Sequence, residues 1–540
     1  MTFQIRVVAI ADSGQEQVED IMSLQRTELK METLGLTLAE GKAILREIQR
    51  VVVEAQTTHC VAAHRQCSDC GQQRHSKGHH DLPLRTVFGK VTVASPRLLH
   101  CDCQPHETKS FSPLAQVLPE RTTPELLFLE TKWASLMSYG LTTELLQEVL
   151  PMDSPLHAST VREHVCSVAE RLENELGEEQ WTFIEGCQRD WNQLPPPDGP
   201  LTVGIDGGYI RGRNKEGHFE VVAGKSLLAF HREAGEAEEL SGKCFAFVQT
   251  YDEKPKRRLF EVLHSQGLTM NQQVEFLSDG GEDVRNVQLY LNPEAEHLLD
   301  WFHVTMRLTV LLQTAKGMPE KIGEGEEQYE LRPVVEKQLE SIKWYLWHGN
   351  TFQALNKLES LEMDLEAAAY ESKNDNIRKL LKGVEELHTY VKRNQQFMPN
   401  YGERYRNGER IASGFVESAV NQVVSKRMVK HQQMQWSQRG AHLLLQIRTR
   451  VLNEEWEETF RRWYPGFRQK PRNNRFGRLL DPRNRMLSTL KLPSRSRATD
   501  ASYVNPDKTP KLVSRTYWPK KTVSRVGPAA IGGAWAHTPR

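Results

Sequence analysis

Three acidic residues stand where carboxylates can hold metal ions: Asp206, Asp279 and Glu417. Asp206 ends the apolar run Leu-Thr-Val-Gly-Ile-Asp, Asp279 ends Val-Glu-Phe-Leu-Ser-Asp, and two glycines follow each of them. Glu417 lies at the start of an amphipathic helical pattern. Hard divalent cations prefer oxygen ligands, and two of them about 4 Å apart activate a water or a 3′-hydroxyl and stabilise the leaving oxygen of a phosphodiester. Although each aspartate alone is also typical of a turn, the set predicts a two-metal site for Mg²⁺ or Mn²⁺.

Other residues near these acids suit the same chemistry. Arg211 and Arg213 come shortly after Asp206 and are predicted to hold phosphates, while the glycines after each aspartate would let a phosphate backbone approach closely. The run Asp300-Trp-Phe-His303 ends a further apolar stretch. Its aspartate and histidine are interpreted either as a structural pair or as groups that position the metal site.

The elements predicted around the acids alternate short apolar strands with helices. Strands are predicted near 201–206, 218–230, 243–251 and 273–279, helices over 256–266 and 283–291, and an apolar run over 297–303. Three consecutive strands, a helix, a fourth strand and further helices follow the element order of an RNase H-like fold. Because the first and fourth strands are neighbours in that fold, Asp206 and Asp279 are expected to meet.

A pattern of paired cysteines predicts a second metal site. Cys67 and Cys70 form a CxxC pair, Cys101 and Cys103 form a CxC pair, and the segment between the pairs is strand-like. Four thiolates in two close pairs suit the tetrahedral preference of Zn²⁺, so residues 59–110 are predicted to be a zinc ribbon with a structural zinc ion. The alternative is four reduced cysteines that cluster without a metal.

Three short helical patterns between residues 123 and 192 are consistent with a helix-turn-helix that reads DNA, and equally with any small helical domain. The last of them begins near Ser159-Thr160 and presents Arg162, Glu163 and His164. Residues 1–58 are predicted to be mostly helical from the apolar spacing through Ile44 to Val52.

The predicted fold class is multidomain α+β. Its parts are N-terminal helices at 1–58, a zinc ribbon at 59–110, a helical segment at 123–192, the first part of the RNase H-like core at 201–303, an all-helical insertion without strands at 304–405, core helices carrying Glu417 at 406–460, and a basic, disordered tail at 461–540.

Charge is distributed unevenly along the chain. The formal net charge is zero, yet residues 461–540 hold 19 lysines and arginines against three aspartates, a net of +16. Aromatic residues are interleaved with these charges, so the tail is interpreted as a nucleic-acid-binding arm or as a solvated segment. No run of 18 apolar residues exists and the N-terminus lacks a signal-peptide pattern, so a cytoplasmic protein without membrane contact is expected.

Four motifs match one family pattern in their order along the chain. They are Gly-Ile-Asp206-Gly-Gly, Ser-Asp279-Gly-Gly, Asp300-Trp-Phe-His303 and Phe-Val-Glu417-Ser-Ala-Val-Asn421. With these motifs the chain resembles the DDE transposases of bacterial insertion sequences, in the Mutator-like grouping that includes the ISL and ISKra types. The Asp-Trp-Phe-His run fits the C/DxxH signature of that grouping. The likeness covers roughly residues 60–455 and does not extend to the basic tail.

The resemblance implies metal-dependent cleavage at the ends of a mobile element and joining of the 3′-hydroxyls to target DNA. Asp206, Asp279 and Glu417 would be the catalytic metal ligands. Asn421 follows Glu417 by one helical turn, and the basic residues beyond it are predicted to contact DNA; these are Lys426, Arg427 and Lys430. The implied partners are the terminal inverted repeats, target DNA and further copies of the chain. The alternatives are a non-catalytic DNA-binding regulator and a nuclease of the same fold.

Overall fold

The computed structural model describes residues 1–468, apart from residues 11–13, 15, 104–108, 153–155, 198, 214–216, 229–241, 324–327 and 430–433. Two predictions lie outside the described residues: the DNA contact by Lys430, and the basic tail from residue 469 onward. The described chain is mixed α/β. None of its helices combines the length and the apolar character that crossing a bilayer requires.

The N-terminus is a β-hairpin, so the prediction that residues 1–58 are mostly helical was wrong for the first half of this segment. Strands β1 (Thr2–Ile10) and β2 (Glu16–Gln25) pair antiparallel, with a bulge between Ile5 and Arg6. Ile5 pairs with Met22 and Arg6 with Asp20, so Ile21 is the extra residue. It puts the two halves of β2 out of phase, which hides the period-2 alternation that identifies a strand. A 3₁₀ turn at Met31–Thr33 precedes the long helix α1 (Leu38–His64), which begins with a Thr37–Glu40 capping box.

The cysteine pairs flank a β-hairpin, as predicted. Strands β3 (Ser76–Thr86) and β4 (Gly89–Leu99) pair antiparallel, and the short β5 (Ser110–Phe111) extends them to three strands. One face of α1 packs on this sheet in a small core of seven buried side chains, which are Val53, Val61, Leu82, Leu84, Val91, Val93 and Leu114.

The remaining helices before the central sheet are α2 (Pro113–Val117), α3 (Pro124–Leu136), α4 (Tyr139–Val149), α5 (Ala158–Glu175) and α6 (Gln188–Trp191). The central region holds β6 (Leu201–Arg211), β7 (His218–Leu228), β8 (Gly242–Val248), α7 (Pro255–His264), β9 (Val274–Ser278), α8 (Glu282–Asn286) and β10 (Ala295–Leu299). The five strands form one mixed sheet in the order β10-β9-β6-β7-β8.

A helical block with its own core follows the sheet. It contains α9 (Trp301–Lys316), α10 (Arg332–Trp347), α11 (Thr351–Glu371), α12 (Asp375–Asn394), a 3₁₀ turn (Gln395–Phe397) and α13 (Tyr401–Arg406). The prediction that this block has no strands was wrong in one detail, because β11 (Lys321–Ile322) and β12 (Tyr329–Glu330) form a two-residue ladder. Such a ladder is too short to leave an alternating pattern in the sequence.

The last described elements are α14 (Gly414–Val420), a π-helix (Asn421–Val429), α15 (Gln438–Leu452) and α16 (Trp456–Trp463). The folded part extends past residue 460, where the tail was predicted to begin at 461. Phe467 is buried and its ring lies 5.3 Å from that of Phe128 and 5.4 Å from that of Phe460. Aromatic packing therefore holds residues 461–468 on the body.

The two faces of the central sheet are covered by different helices. Leu201, Val203 and Ile205 point to the face covered by α7 and α8. Ile210, on the opposite face, shares a core with α14, the π-helix and α15. Helices α3, α4 and α5 contribute to the same core, so the predicted helical segment at 123–192 is not packed as a separate body. An amphipathic pattern shows that a helix has a buried face without showing what covers it.

Candidate active site and metal centre

The strand register brings three aspartates into one row. β6 pairs in parallel with β9, with Gly204 opposite Leu277, and β9 pairs in parallel with β10, with Ser278 opposite Leu299. Continuing this register places Asp206, Asp279 and Asp300 side by side. Asp206 lies within β6, just past its last pair with β9, whereas Asp279 and Asp300 directly follow the carboxyl ends of β9 and β10. The backbone N–H of Asp300 donates to Ser278 O at 2.9 Å, which holds the end of the row together.

Glycines let the Glu417 helix lie directly on this row. Gly204, Asp206 and Gly208 alternate along β6 and therefore face the same side of the sheet. A Cβ atom on Gly204 would lie 1.9 Å from Val416 Cγ2, and one on Gly208 would lie 3.3 Å from Val420 Cγ1. Val416 and Val420 flank Glu417 on α14, so α14 crosses β6 above Asp206. The three predicted acids therefore approach one another on one face of the sheet.

The glycines that follow the two aspartates, which are predicted to let a phosphate backbone approach, also accommodate neighbouring side chains and turns of this chain. Gly208 accommodates Val420, and the Cβ position of Gly207 lies 2.2 Å from Glu220 Oε1. Gly280 has φ +85° and supports the turn after Asp279. Glu220, on β7 opposite Tyr209, is a further carboxylate at this end of the sheet that no local sequence pattern identified.

The acids influence one another electrostatically. Burial raises the pKa of Asp206, and the negative charges of Asp279 and Glu417 raise it further, while the N–H of Gly207 and the nearby His303 oppose the shift. The acceptor oxygens of the three acids do not all lie within 4.8 Å of one another. Two groups of possible metal ligands among the described residues do meet that distance, one of four cysteines and one of Glu173, Asp252 and His442. The spread of the three acids is wider than the ligand shell of one Mg²⁺, whose ligands lie at about 2.1 Å.

A single methyl group at residue 204 tests this packing. We expect Gly204→Ala to lower the free energy of unfolding by about 1–3 kcal/mol, because Val416 is fully buried and has nowhere to move. Any displacement of Val416 by the added methyl group also moves the neighbouring Glu417. Misplacement of a catalytic group by about 1 Å costs on the order of 100-fold in rate. Gly140→Ala is the matched control, since its Cβ meets nothing within 4 Å. Denaturant unfolding and metal-dependent DNA cleavage measure the two effects; wild-type values for Gly204→Ala would contradict the packing.

Asp300 joins the elements that carry the other acids. Its carboxylate is fully buried, accepts the backbone N–H of Phe302 at 2.9 Å and of Ser413 at 3.1 Å, and accepts the Ser413 hydroxyl. Ser413 is the residue before α14. Since His303 Nε2 lies 3.6 Å from Asp300 Oδ2, the predicted Asp-His pair is present in the structure. This Asp300 cluster, made of Asp300, His303 and Ser413, links the starts of α9 and α14 to the end of β9.

The helical block also reaches the site. The Tyr390 hydroxyl donates to the backbone carbonyl of Asp279 at 2.9 Å, and the Cβ position of Gly280 lies 2.6 Å from Asn394 Oδ1. Both residues come from α12, more than 100 positions after Asp279. Sequence reasoning missed Tyr390, Asn394 and Ser413 because no local spacing connects them to the acids.

The predicted DNA contacts divide into exposed and buried residues. Arg211, Arg213 and Lys426 are exposed, whereas Arg427 is fully buried, so the prediction that Arg427 binds DNA was wrong. Asn421 is half-buried at the first position of the π-helix. The π-helix changes the phase of the residues after Glu417, so a pattern counted at 3.6 residues per turn assigns Arg427 to the wrong face.

Two buried arginines support the π-helix from within. Arg427 Nε donates to Ala134 O at 3.0 Å, at the end of α3, and its guanidinium lies over the rings of Tyr139 and Trp436. Arg448 Nε donates to Val423 O at 2.7 Å. Burial lowers the pKa of both arginines to about 10, which leaves them charged at neutral pH.

The four cysteines predicted to bind metal form one group. Their sulfur atoms all lie within 4.8 Å of one another, with Cys67 Sγ 3.5 Å from Cys103 Sγ and Cys70 Sγ 3.3 Å from Cys101 Sγ. A tetrahedral zinc with Zn–S bonds of about 2.3 Å requires sulfurs about 3.8 Å apart. Backbone N–H groups of Cys70 and Asp69 lower the pKa of Cys67 to about 6, which favours the thiolate. The group could therefore bind a metal such as zinc.

A second group within the same distance was not foreseen. Glu173, Asp252 and His442 meet in the interior between α5, α7 and α15. Arg258 occupies the centre of this group, with Nη2 2.9 Å from Glu173 Oε2, 3.0 Å from Asp252 Oδ1 and 3.3 Å from His442 Nε2. The guanidinium supplies the positive charge there, so we interpret the group as a buried ion-pair network that ties α5 to the sheet.

Comparison with protein-family models and with curated proteins gives no match for this chain. What the site can do is therefore inferred from its own residues and their geometry.

Proposed function

We propose that this chain is a DDE transposase, which binds the terminal inverted repeats of a mobile element, cleaves the DNA at the element's ends and joins them to target DNA. The observation that carries the proposal is that Asp206, within β6, and Asp279, directly after β9, lie side by side on adjacent parallel strands, on the face crossed by the Glu417 helix.

The order of the sheet supports an RNase H-like core. Numbered along the core, the strands lie in the order 3-2-1-4-5, and only the second is antiparallel to the others. The helical block between β10 and α14 then is an insertion between the second aspartate and the glutamate. Its Tyr390 contact with Asp279 supports a role in the site as well as in the fold.

Within the proposed site, Asp206, Asp279 and Glu417 hold Mg²⁺ or Mn²⁺. When bound, such ions stabilise the charge that develops on a phosphodiester and lower the pKa of an attacking water or hydroxyl. Asp300 and His303 are positioning residues, since Asp300 fixes the start of α14 through Ser413. Asn421 lies one helical turn beyond Glu417.

The proposed DNA contacts come from the exposed basic residues around this face. Arg211 ends β6, Arg213 follows that strand, and Lys426 lies on the π-helix that continues α14. All three are exposed and suit phosphate contacts, which position DNA without reading its sequence. Zinc at the four cysteines would stabilise the β3–β4 hairpin. The start of α5 exposes Arg162 and Glu163, which is compatible with reading of the element's ends.

The DNA beside the coding region tests the proposal. We expect inverted repeats on both sides, with a short duplicated target sequence outside them. A plasmid carrying these repeats around a marker should lose the marker or produce joined copies when the chain is expressed. Absence of repeats, together with no rearrangement of the plasmid, would contradict the proposal and favour a DNA-binding regulator.

A further inference from the structure

The first 38 residues expose an unusual number of large apolar side chains. We define the N-terminal apolar surface by those residues of the hairpin and the following loop that are between 48% and 89% exposed, namely Met1, Phe3, Val8, Ile10, Val18, Leu29, Met31, Leu34, Leu36 and Leu38. Soluble monomers rarely expose apolar patches larger than a few hundred Å². A surface of this kind indicates a partner.

The loop that carries half of this surface is held in place. The Arg26 guanidinium donates to Thr33 O at 3.1 Å, Gly35 O at 3.0 Å and Glu40 Oε2 at 2.7 Å, which pins the loop to the hairpin and to the start of α1. Met1 and Arg26 exchange two backbone hydrogen bonds that close the base of the hairpin. The leucines therefore point outward from a defined backbone.

The hairpin has an inner face and an outer face. Leu24 is buried, and Glu19 pairs with Arg50 of α1, so one face of β2 lies against α1. Val8 and Val18 are opposite each other in the register and both are exposed, so they belong to the outer face. In the part of the chain that the structure describes, neither strand pairs with a strand other than its hairpin partner, which leaves the outer edge of β1 open.

The chemistry of β1 favours a second copy of this chain as the occupant. An open antiparallel edge is complementary to itself across a twofold axis, because two identical edges can exchange backbone hydrogen bonds. The only charged residue in β1 is Arg6, and Asp20 neutralises it at 2.5 Å. By contrast β2 contains Glu16, Glu19 and Asp20, which would repel their own copies.

Charge and area support the same occupant. Residues 1–36 contain six acidic residues against three basic ones, so this surface disfavours the phosphates of nucleic acid. Apart from Phe3, which lies opposite the buried Leu24 on the inner face, the exposed side chains together offer on the order of 1,000 Å², comparable to the roughly 800 Å² per partner of a stable interface.

We propose that the N-terminal apolar surface is a dimerisation surface, in which β1 of two copies pair antiparallel and the loop leucines pack across the twofold axis. The dimer itself does not depend on the proposed function. If that function holds, the dimer would supply two catalytic sites for the two ends of an element.

Sedimentation or light scattering of the full chain tests the dimer. The protein is treated with nuclease and measured at micromolar concentration and high salt. We expect the wild type to be a dimer under these conditions. We expect Val8→Lys, which adds a charge beside the β1 edge, and Leu34→Asp, which adds one to the loop, each to raise the dimer dissociation constant by at least about 30-fold. Met363→Lys is the control, because Met363 is 60% exposed on α11, outside the surface.

Any of three results would overturn the proposal. The wild type could be a monomer, its association could disappear with nuclease and salt, or both variants could form dimers of unchanged affinity. Circular dichroism confirms that each variant is folded, and the two variants alter different elements. A wild-type dimer that cannot cleave DNA would contradict the proposed function while leaving the dimerisation surface intact.

Discussion

Asp279→Asn is expected to abolish metal-dependent cleavage and joining, with a loss on the order of 10³-fold or more. The substitution removes a negative charge and preserves the shape of the side chain. Asp279 Oδ1 accepts the N–H of Gly281 at 2.9 Å, and an asparagine oxygen can accept the same bond. The turn after β9 is therefore retained while the affinity of the site for divalent cations falls.

Stability separates this catalytic effect from misfolding. The Asp279 charge raises the pKa of Asp206, so neutralising it relieves repulsion in the metal-free chain. We expect the unfolding temperature of Asp279→Asn without metal to equal or exceed that of the wild type. Glu282→Gln, an exposed carboxylate three residues later, is the matched control and should keep nearly full activity. Wild-type cleavage by Asp279→Asn would contradict its assignment as a metal ligand.

Loss of the cysteine pair at 67 and 70 is the second large expected effect. We expect Cys67→Ser combined with Cys70→Ser to reduce bound zinc from one ion per chain to none and to unfold the β3–β4 hairpin. Among the residues that the structure describes, seven buried side chains form the core under this hairpin. In zinc-finger peptides the metal contributes about 10–16 kcal/mol, so a module with so small a core depends on its ion.

The consequences should extend to the neighbouring helix. Thr123 N–H donates to Arg85 O at 2.9 Å, and Arg85 N–H donates to Arg121 O at 2.8 Å, so β3 holds the segment before α3. Cys60→Ser is the control, because Cys60 lies on α1 outside the group of four. Metal analysis and hydrogen exchange of β3, β4 and residues 120–126 measure the effect. A double variant that retains a full equivalent of zinc would refute the ligand set.

The sequence predicted correctly those features whose residues stand in short local patterns. Apolar runs that end at Asp206 and Asp279 predicted strands, and the order of elements predicted that these strands would be neighbours, which the parallel pairing of β6 with β9 confirms. The cysteine spacing predicted a hairpin between two ligand pairs, and both the hairpin and the group of four sulfurs are present.

The features that could not be predicted depend on contacts between distant segments. The role of Gly204 is visible only when Val416 lies against it, 212 positions later. Glu173, Asp252, Arg258 and His442 come from separate elements, and none stands in a motif. Arg427 was misassigned because the π-helix alters the helical phase, and the hairpin at residues 2–25 was missed because a bulge interrupts its alternation.

The joining reaction tests the central claim most directly. A pre-cleaved oligonucleotide that carries the element's terminal repeat and a free 3′-hydroxyl is incubated with the full chain, a supercoiled plasmid and Mg²⁺. The transposase assignment predicts oligonucleotide covalently joined to plasmid, absent with EDTA and absent with Asp279→Asn. Nicked plasmid without joined product would indicate a nuclease, and an unreacted mixture with bound DNA would indicate a regulator; either result would contradict the assignment.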